Sequence, residues 1–120
     1  MKKTWRRKRG DAAELRAEHF LHSAGLEFRD RNYHCRWGEI DLVMQDGNTL
    51  VFIEVRLRQN DRFGGATASV SPAKQQRLLR TASHYLAAHA ASDTACRFDV
   101  VAESGETGRI DWIKNAFEAG

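Results

Sequence analysis

Apolar and polar positions change their period along this chain in a way that marks out its elements. Between Asp11 and Ala24, residues Ala13, Ala17, Phe20, Leu21 and Ala24 recur at helical spacing, and Gly25 follows as a stop. The pattern predicts a helix with one apolar stripe. Glu14 lies three residues before Ala17 and seven before Leu21, so it falls at the edge of that stripe and not on the opposite face. Leu26 to Tyr33 reads as a weakly patterned strand, and Gly38 to Gln45 as a clearer one. Asp46-Gly47-Asn48 signals a turn, and Thr49 to Arg58 is a third strand that should pair with the second as an antiparallel hairpin.

The stretch from Arg58 to Val70 is polar, contains Gly64-Gly65 and reads as a mobile loop. Ser71-Pro72 then gives a helix start, with serine as the cap and proline in the first helical position. This second helix is expected to run to about Ala90, with Leu78, Leu79, Ala82, Tyr85 and Leu86 facing inward. Ala95 to Ala102 is a fourth strand, Ser104 to Gly108 turns the chain, and Arg109 to Lys114 adds a short fifth. The order α-β-β-β-α-β-β predicts an α/β domain, a mixed central sheet flanked by helices.

A length of 120 residues suits one domain with one core. The 42% hydrophobic and 29% charged content is ordinary for a globular protein. One proline and no internal repeat argue against a linker or second domain. The net charge is only +3, yet Lys2, Lys3, Arg6, Arg7, Lys8 and Arg9 crowd the start. Residues 1–9 are expected to be a flexible basic arm and residues 10–120 a single folded domain. Such an arm either contacts phosphate or is a solvated tail. No apolar run follows it, so it is not a secretory signal, and no segment is long enough to span a membrane. Cys35 and Cys96 stand far apart without a paired motif, as reduced thiols of a cytoplasmic protein would.

The candidate chemistry sits in the hairpin. Asp41 and Glu54 each interrupt an apolar run, where a charge is costly unless it meets a partner or a metal. A two-residue turn at Asp46-Gly47 would set Gln45 opposite Asn48, Asp41 opposite Phe52 and Glu39 opposite Glu54. Asp41 and Glu54 would then be diagonal neighbours on one face, roughly 5–8 Å apart at their β carbons. Two acids that close repel unless a cation lies between them, and oxygen-only ligands favour Mg²⁺ or Mn²⁺ over zinc. The main-chain carbonyl of Val55 is placed to add a third ligand, and Glu14 could enter from the first helix. Arg56 projects from the face of Glu54 and could stabilise phosphate charge, although it is too basic to accept a proton. Lys74, in the first turn of the second helix, could supply a further cation. Hairpin acids also serve as exposed positions or as halves of ion pairs with Arg56 or Arg58, and the pattern alone leaves both readings open.

His19 and His22 are three apart on a helix, but no cysteine or further histidine completes a zinc set. Trp37 and Phe63 flank the acidic strands and are either core packing or surfaces on which bases stack. The cations expected to meet nucleic acid are Arg6, Arg7, Lys8 and Arg9 in the arm, Arg58 and Arg62 at the loop, and Lys74.

Gly38-Glu39-Ile40-Asp41-Leu42-Val43 and Val51-Phe52-Ile53-Glu54-Val55-Arg56-Leu57-Arg58 occur in that order. Phe63-Gly64, Lys74, Arg97-Phe98-Asp99-Val100-Val101 and Ile113-Lys114-Asn115-Ala116-Phe117 follow. This series resembles the bacterial YraN family over nearly the whole chain, from about Gly10 to Phe117. That family resembles the archaeal Holliday-junction resolvases and, by fold, the PD-(D/E)xK nucleases. The resemblance implies a restriction-endonuclease-like core and a Mg²⁺- or Mn²⁺-dependent endonuclease acting on DNA, including branched DNA. It implies Asp41 and Glu54 as metal ligands and Glu14 as the acid from the first helix. It also implies a homodimer, which a resolvase needs in order to cut two strands symmetrically. One departure stands out: Arg56 occupies the place of the catalytic lysine. Three alternatives follow: Lys74 substitutes for it, the metal alone activates water, or the fold binds nucleic acid without cutting it.

Overall fold

The computed structural model describes residues 11–58 and 70–118 in full and the helical backbone of residues 5–10. The elements are α1 (Trp5–Ser23), β1 (Glu27–Cys35), β2 (Gly38–Asp46), β3 (Thr49–Arg58), α2 (Pro72–Ala88), β4 (Cys96–Ser104) and β5 (Ile110–Phe117). The α-β-β-β-α-β-β order is the one expected, and it builds a restriction-endonuclease-like arrangement. The sheet runs β1-β2-β3-β4-β5. Every neighbouring pair is antiparallel except β3–β4, which is parallel and joined through α2.

The two helices explain why the central strands are apolar on both sides. Ala17 and Leu21 of α1 pack with Leu42, Met44, Val51, Ile53 and Val101 on one face. Leu78, Ala82 and Tyr85 of α2 pack with Val43, Phe52, Phe98 and Val100 on the other. Residues 50 to 53 of β3 therefore alternate between two cores, and all four are buried. The expected inward residues of α2 divide: Leu78, Ala82 and Tyr85 are buried, while Leu79 and Leu86 are only partly covered. On α1, Phe20 lies outside the core and sets its ring edge-on to Trp112.

Helix α1 starts at Trp5 and not at Asp11. Arg and Lys are good helix formers, and the apolar stripe begins only at Ala13, so periodicity could not reveal the extra turns. At α2 the expected cap is in place: Ser71 has extended backbone, and its hydroxyl accepts from Lys74 N at 3.2 Å.

The hairpin register differs from expectation by two residues. Asp46 pairs with Thr49 and Val43 with Phe52, so the loop is Gly47-Asn48. Gly47 has φ +60 and Asn48 does not have a positive φ, so the glycine takes the first loop position, where a type II′ turn requires it. A shift of two preserves every side chain's face.

Strand β5 is longer than expected because it bends without ending. Asn115 adopts φ +51 beside a register shift against β4. The buried carboxylate of Asp99 holds that bend by accepting from Asn115 N and Trp112 Nε1, both at 2.9 Å, and from Arg97 Nε. Asp99 is thereby a satisfied buried acid and not a free one.

Gly38 is the closest approach of the β1–β2 turn to α2. Its φ is +148, and an added Cβ would lie 3.3 Å from Thr81 Oγ1 and 3.7 Å from Arg77 Cβ. Both the backbone conformation and the space favour glycine. Gly38→Ala should therefore lower the unfolding free energy by about 1–3 kcal/mol, the usual cost of a residue held in a sparsely populated conformation. Urea denaturation checks this, and an unchanged midpoint would refute it.

Candidate active site

Strict alternation fails at one level of the sheet, in two neighbouring strands. On β2, Leu42 belongs to the α1-side core and Ile40 to the α2-side core, although they are two residues apart. On β1, Arg31 reaches Glu18 of α1, while Tyr33 packs with the α2-side core. Between them Asn32 has φ +54, a left-handed conformation that asparagine tolerates better than most residues. Arg31 pairs with Leu42 and Tyr33 with Ile40, so the two breaks lie side by side.

Asp41 sits at this break. The β2–β3 ladder stops at Leu42–Ile53. Beyond it the carboxylate of Asp41 takes over as acceptor, with Val55 N–H donating to Oδ2 at 2.8 Å. Asp41 thereby meets Glu54 from β3 and Glu14 from α1 within hydrogen-bonding reach. The two strand acids come together as expected, in contact and closer than diagonal neighbours. Glu14 and Glu54 are both buried, at 8% exposure each.

Three carboxyls this close cannot all be ionised cheaply. Burial first, and the charge on Glu54 second, push the Asp41 carboxyl up to about 8. The hydrogen bond from Val55 N–H works against that rise, and the shared hydrogen bond with Glu54 and the charge on Glu14 add to it. Glu14 is also raised, chiefly by burial and then by Asp11. Retaining a proton on Asp41 at neutral pH relieves part of this repulsion.

The acids open into a cleft of about 380 Å³ lined by Gly38, Glu39, Asp41, Glu54, Lys74 and Arg77, among others. Lys74 forms an ion pair with Glu54 Oε2, so the first turn of α2 carries a cation to the acid that sequence spacing had left without one. Arg77, one turn further along, is an exposed second cation at the rim. It follows Lys74 at the i+3 spacing of a shared helix face, a signal the sequence carried and the motif reading passed over. Glu39 lines the cleft but is exposed and pairs with His34 across β1, not with Glu54.

The remaining expected residues divide. Arg56 is half-buried on β3, beside Ala102 of β4, and does not line this cleft. Arg58 is a correction. Its side chain is 5% exposed and donates to Asp111 of β5, so it joins two strands and does not offer a cation to nucleic acid. That pairing holds the Asp111 carboxyl below its ordinary value. Arg6, Arg7, Lys8 and Arg9 lie on the helical ribbon of α1, with side chains outside the described residues. Arg62 and Phe63 also lie outside the described residues.

Among the described residues, no group of three or more His, Cys, Asp or Glu side chains is arranged to hold a metal ion. What suits a dication is the chemistry of the donors. They are all oxygens; the buried Oε1 of Glu14 accepts no hydrogen bond, and Oε2 of Glu54 has the Lys74 ammonium as its partner. Asp41 and Glu54, with the Val55 carbonyl, would be the residues to hold one. Among the described residues, no helix is long and apolar enough to cross a membrane.

The family model described as "Uncharacterised protein family UPF0102" matches residues 13–102. The chain belongs to this family, the one its motifs resemble. A UPF0102 protein of Nitrosomonas europaea is 53% identical over 111 residues, covering 92% of this chain and 93% of its own. One from an Enterobacter species is 57% identical over 114 residues, covering 93% and 86%. One from Nitrosococcus oceani is 50% identical over 120 residues, covering 98% and 97%.

The acid cluster sets a pH dependence. Asp41 titrates near 3.9 when unfolded and about 8 when folded. Between those values the folded state keeps a proton that the unfolded state has lost, so stability falls as pH rises through that window. Glu14 acts in the same direction. In EDTA, Asp41→Asn should flatten the decline and leave the variant the more stable protein near pH 8. Urea midpoints across pH 4–9 test this, and parallel curves for the two proteins would refute it.

Proposed function

We propose that this UPF0102 protein is a divalent-metal-dependent endonuclease acting on DNA. The observation that carries the reading is the contact between Asp41 and Glu54 in an open cleft, with Glu14 behind them and Lys74 on Glu54. Burying three acids side by side is costly even with one lysine paired to Glu54, and this cluster contributes repulsion to the fold. A ligand that binds acids offsets that cost. The enzyme works in the cytoplasm, where its DNA substrate lies.

Asp41 and Glu54, with the Val55 carbonyl, would hold Mg²⁺ or Mn²⁺. When bound, the ion supplies Lewis acidity toward the phosphodiester and lowers the pKa of water. Binding requires Asp41 to give up its proton, so uptake of the ion strengthens as pH rises toward 8. Glu14 holds Asp41 in place from the side of α1. Lys74 has the proton chemistry that arginine lacks. Lys74, paired with Glu54 at the cleft, would be the residue placed to face the phosphate or to orient a water. Arg56 adds fixed positive charge on the same strand. The basic first turns of α1 supply salt-dependent attraction to the phosphate backbone. Two copies cutting opposite strands would account for a role on branched DNA.

A second reading has a specific observation in its favour. Lys74 already neutralises Glu54, and no three-side-chain metal set is present among the described residues. Both fit a nuclease fold that binds nucleic acid without cutting it.

Cleavage of linear, flapped and four-way DNA with Mg²⁺, Mn²⁺ or EDTA separates the two. The nuclease reading expects metal-dependent cutting that Asp41→Asn abolishes. Lys74→Ala should lower the rate by roughly 10²-fold, the scale of losing one electrostatic contact to a transition state. Arg56→Lys should keep or raise it. If the wild type is inert on every substrate with every ion yet binds DNA, the binding-only reading replaces the nuclease.

A further inference from the structure

Beside the acid cleft lies a second cavity of about 440 Å³, lined by Trp37, Leu79, Arg80, Ser83 and His84. The two cavities share a wall. Gly38 lines the first and Trp37 the second, and on α2 Arg77 and Leu78 line the first while Leu79 and Arg80 line the second. The two cavities are thus lined by consecutive residues of α2 and of the β1–β2 turn.

The second cavity differs from the first in character. No acid lines it, and it includes the indole of Trp37, 36% exposed on the β1–β2 turn. Two guanidinium groups lie over that ring, Arg36 at 4.5 Å and Arg80 at 5.1 Å from its centroid. An arginine held over an indole keeps its charge and its N–H donors available at the ring's rim. Arg36, Arg77 and Arg80 are all exposed. An indole with two arginines at its ring and a third, Arg77, lining the adjoining cleft suits a strand that offers a flat base and a phosphate together. An apolar peptide would leave the arginines without acidic partners.

We propose that Trp37, Arg80 and Arg77 form a subsite for one unpaired nucleotide next to the scissile phosphate. The inference rests on the nuclease reading for its placement, and it deepens that reading by assigning the substrate class. A base inside a duplex has both faces covered by its neighbours and exposes only its edges in the grooves. A ring on a short turn can stack only on a base that has left the helix. The preferred substrate is therefore DNA with unpaired nucleotides at a junction or flap, and not continuous duplex. Gly38 serves this subsite by letting the turn sit tightly against α2, which brings Trp37 beside Arg80.

The test is binding in EDTA, which separates recognition from cleavage. A labelled duplex with a short single-stranded flap is compared with a blunt duplex of equal length. The wild type should favour the flapped DNA about tenfold, within the range for stacking one base on an aromatic ring. Trp37→Ala should bring the ratio close to one, and Trp37→Phe should retain most of it. Arg80→Glu should weaken binding to both DNAs. 2-Aminopurine placed in the flap at the junction should be quenched by the wild type, a readout that needs no variant to fold. Equal affinity of the wild type for the two DNAs, an unquenched probe, or a preference that survives Trp37→Ala would overturn the proposal. The two readings fail separately. Flap preference without cleavage in any metal sinks the nuclease alone, and metal-dependent cleavage indifferent to Trp37 sinks the subsite alone.

Discussion

Glu14, Asp41 and Glu54 approach one another where the β2–β3 ladder ends, and like charges in such a place repel. The protein accepts that repulsion and surrounds it with devices that limit it. Val55 N–H binds Asp41, Lys74 pairs with Glu54, and Asp41 retains a proton well above the ordinary carboxylate range. Each device is reversible. The proton leaves as pH rises, and the lysine can exchange its partner. The arrangement is costly as architecture, and its cost becomes intelligible if the site exists to take up a cation.

The paired irregularity at Asn32 and Asp41 is what makes the cluster possible. Had β1 and β2 kept strict alternation, Leu42 and Ile40 would lie on one face. Asp41 would then continue a regular ladder with Glu54. The break turns Ile40 and Tyr33 into the α2-side core and leaves the Asp41 carboxylate to replace a ladder acceptor. Irregular strand positions of this kind recur beside active sites, where they re-aim a side chain. Asn32 also reaches Glu14, so the residue that bends β1 touches the acid that α1 brings in.

Helix α2 joins the acid cluster to the neighbouring surface. Its buried face, with Leu78, Ala82 and Tyr85, fixes it against the sheet. Its first turn carries Lys74 to Glu54, and the next turn carries Arg77 and Arg80 past Gly38 and Trp37. One rigid element therefore sets the spacing between an acidic cavity and an aromatic, basic one. Under the proposed nuclease reading, that continuity suits a polymeric substrate, because the cations continue beyond the cleft.

Much of this was legible in the chain. The element order followed from local periodicity and turn chemistry: Gly47 for the hairpin, Ser71-Pro72 for the start of α2, and apolar runs for β3 and β4. That Asp41 and Glu54 lie on facing strands of one hairpin followed from the turn signal, although their contact comes where the ladder ends and not from strand parity. Glu14 was placed at the edge of its helix by spacing alone. Other features depend on contacts between residues distant in sequence, and no local pattern encodes them. Arg58 looks like a loop cation until β5 brings Asp111 beside it. Lys74 looks like a solvated helix lysine until the crossover between parallel strands sets the start of α2 over Glu54. The proton held by Asp41 depends on burial and on neighbours from two other elements, quantities that exist only once the chain has folded. Sequence thus determined which acids could meet, and tertiary structure decided what surrounds them, because desolvation and charge–charge energies are set by distance in space and not along the chain.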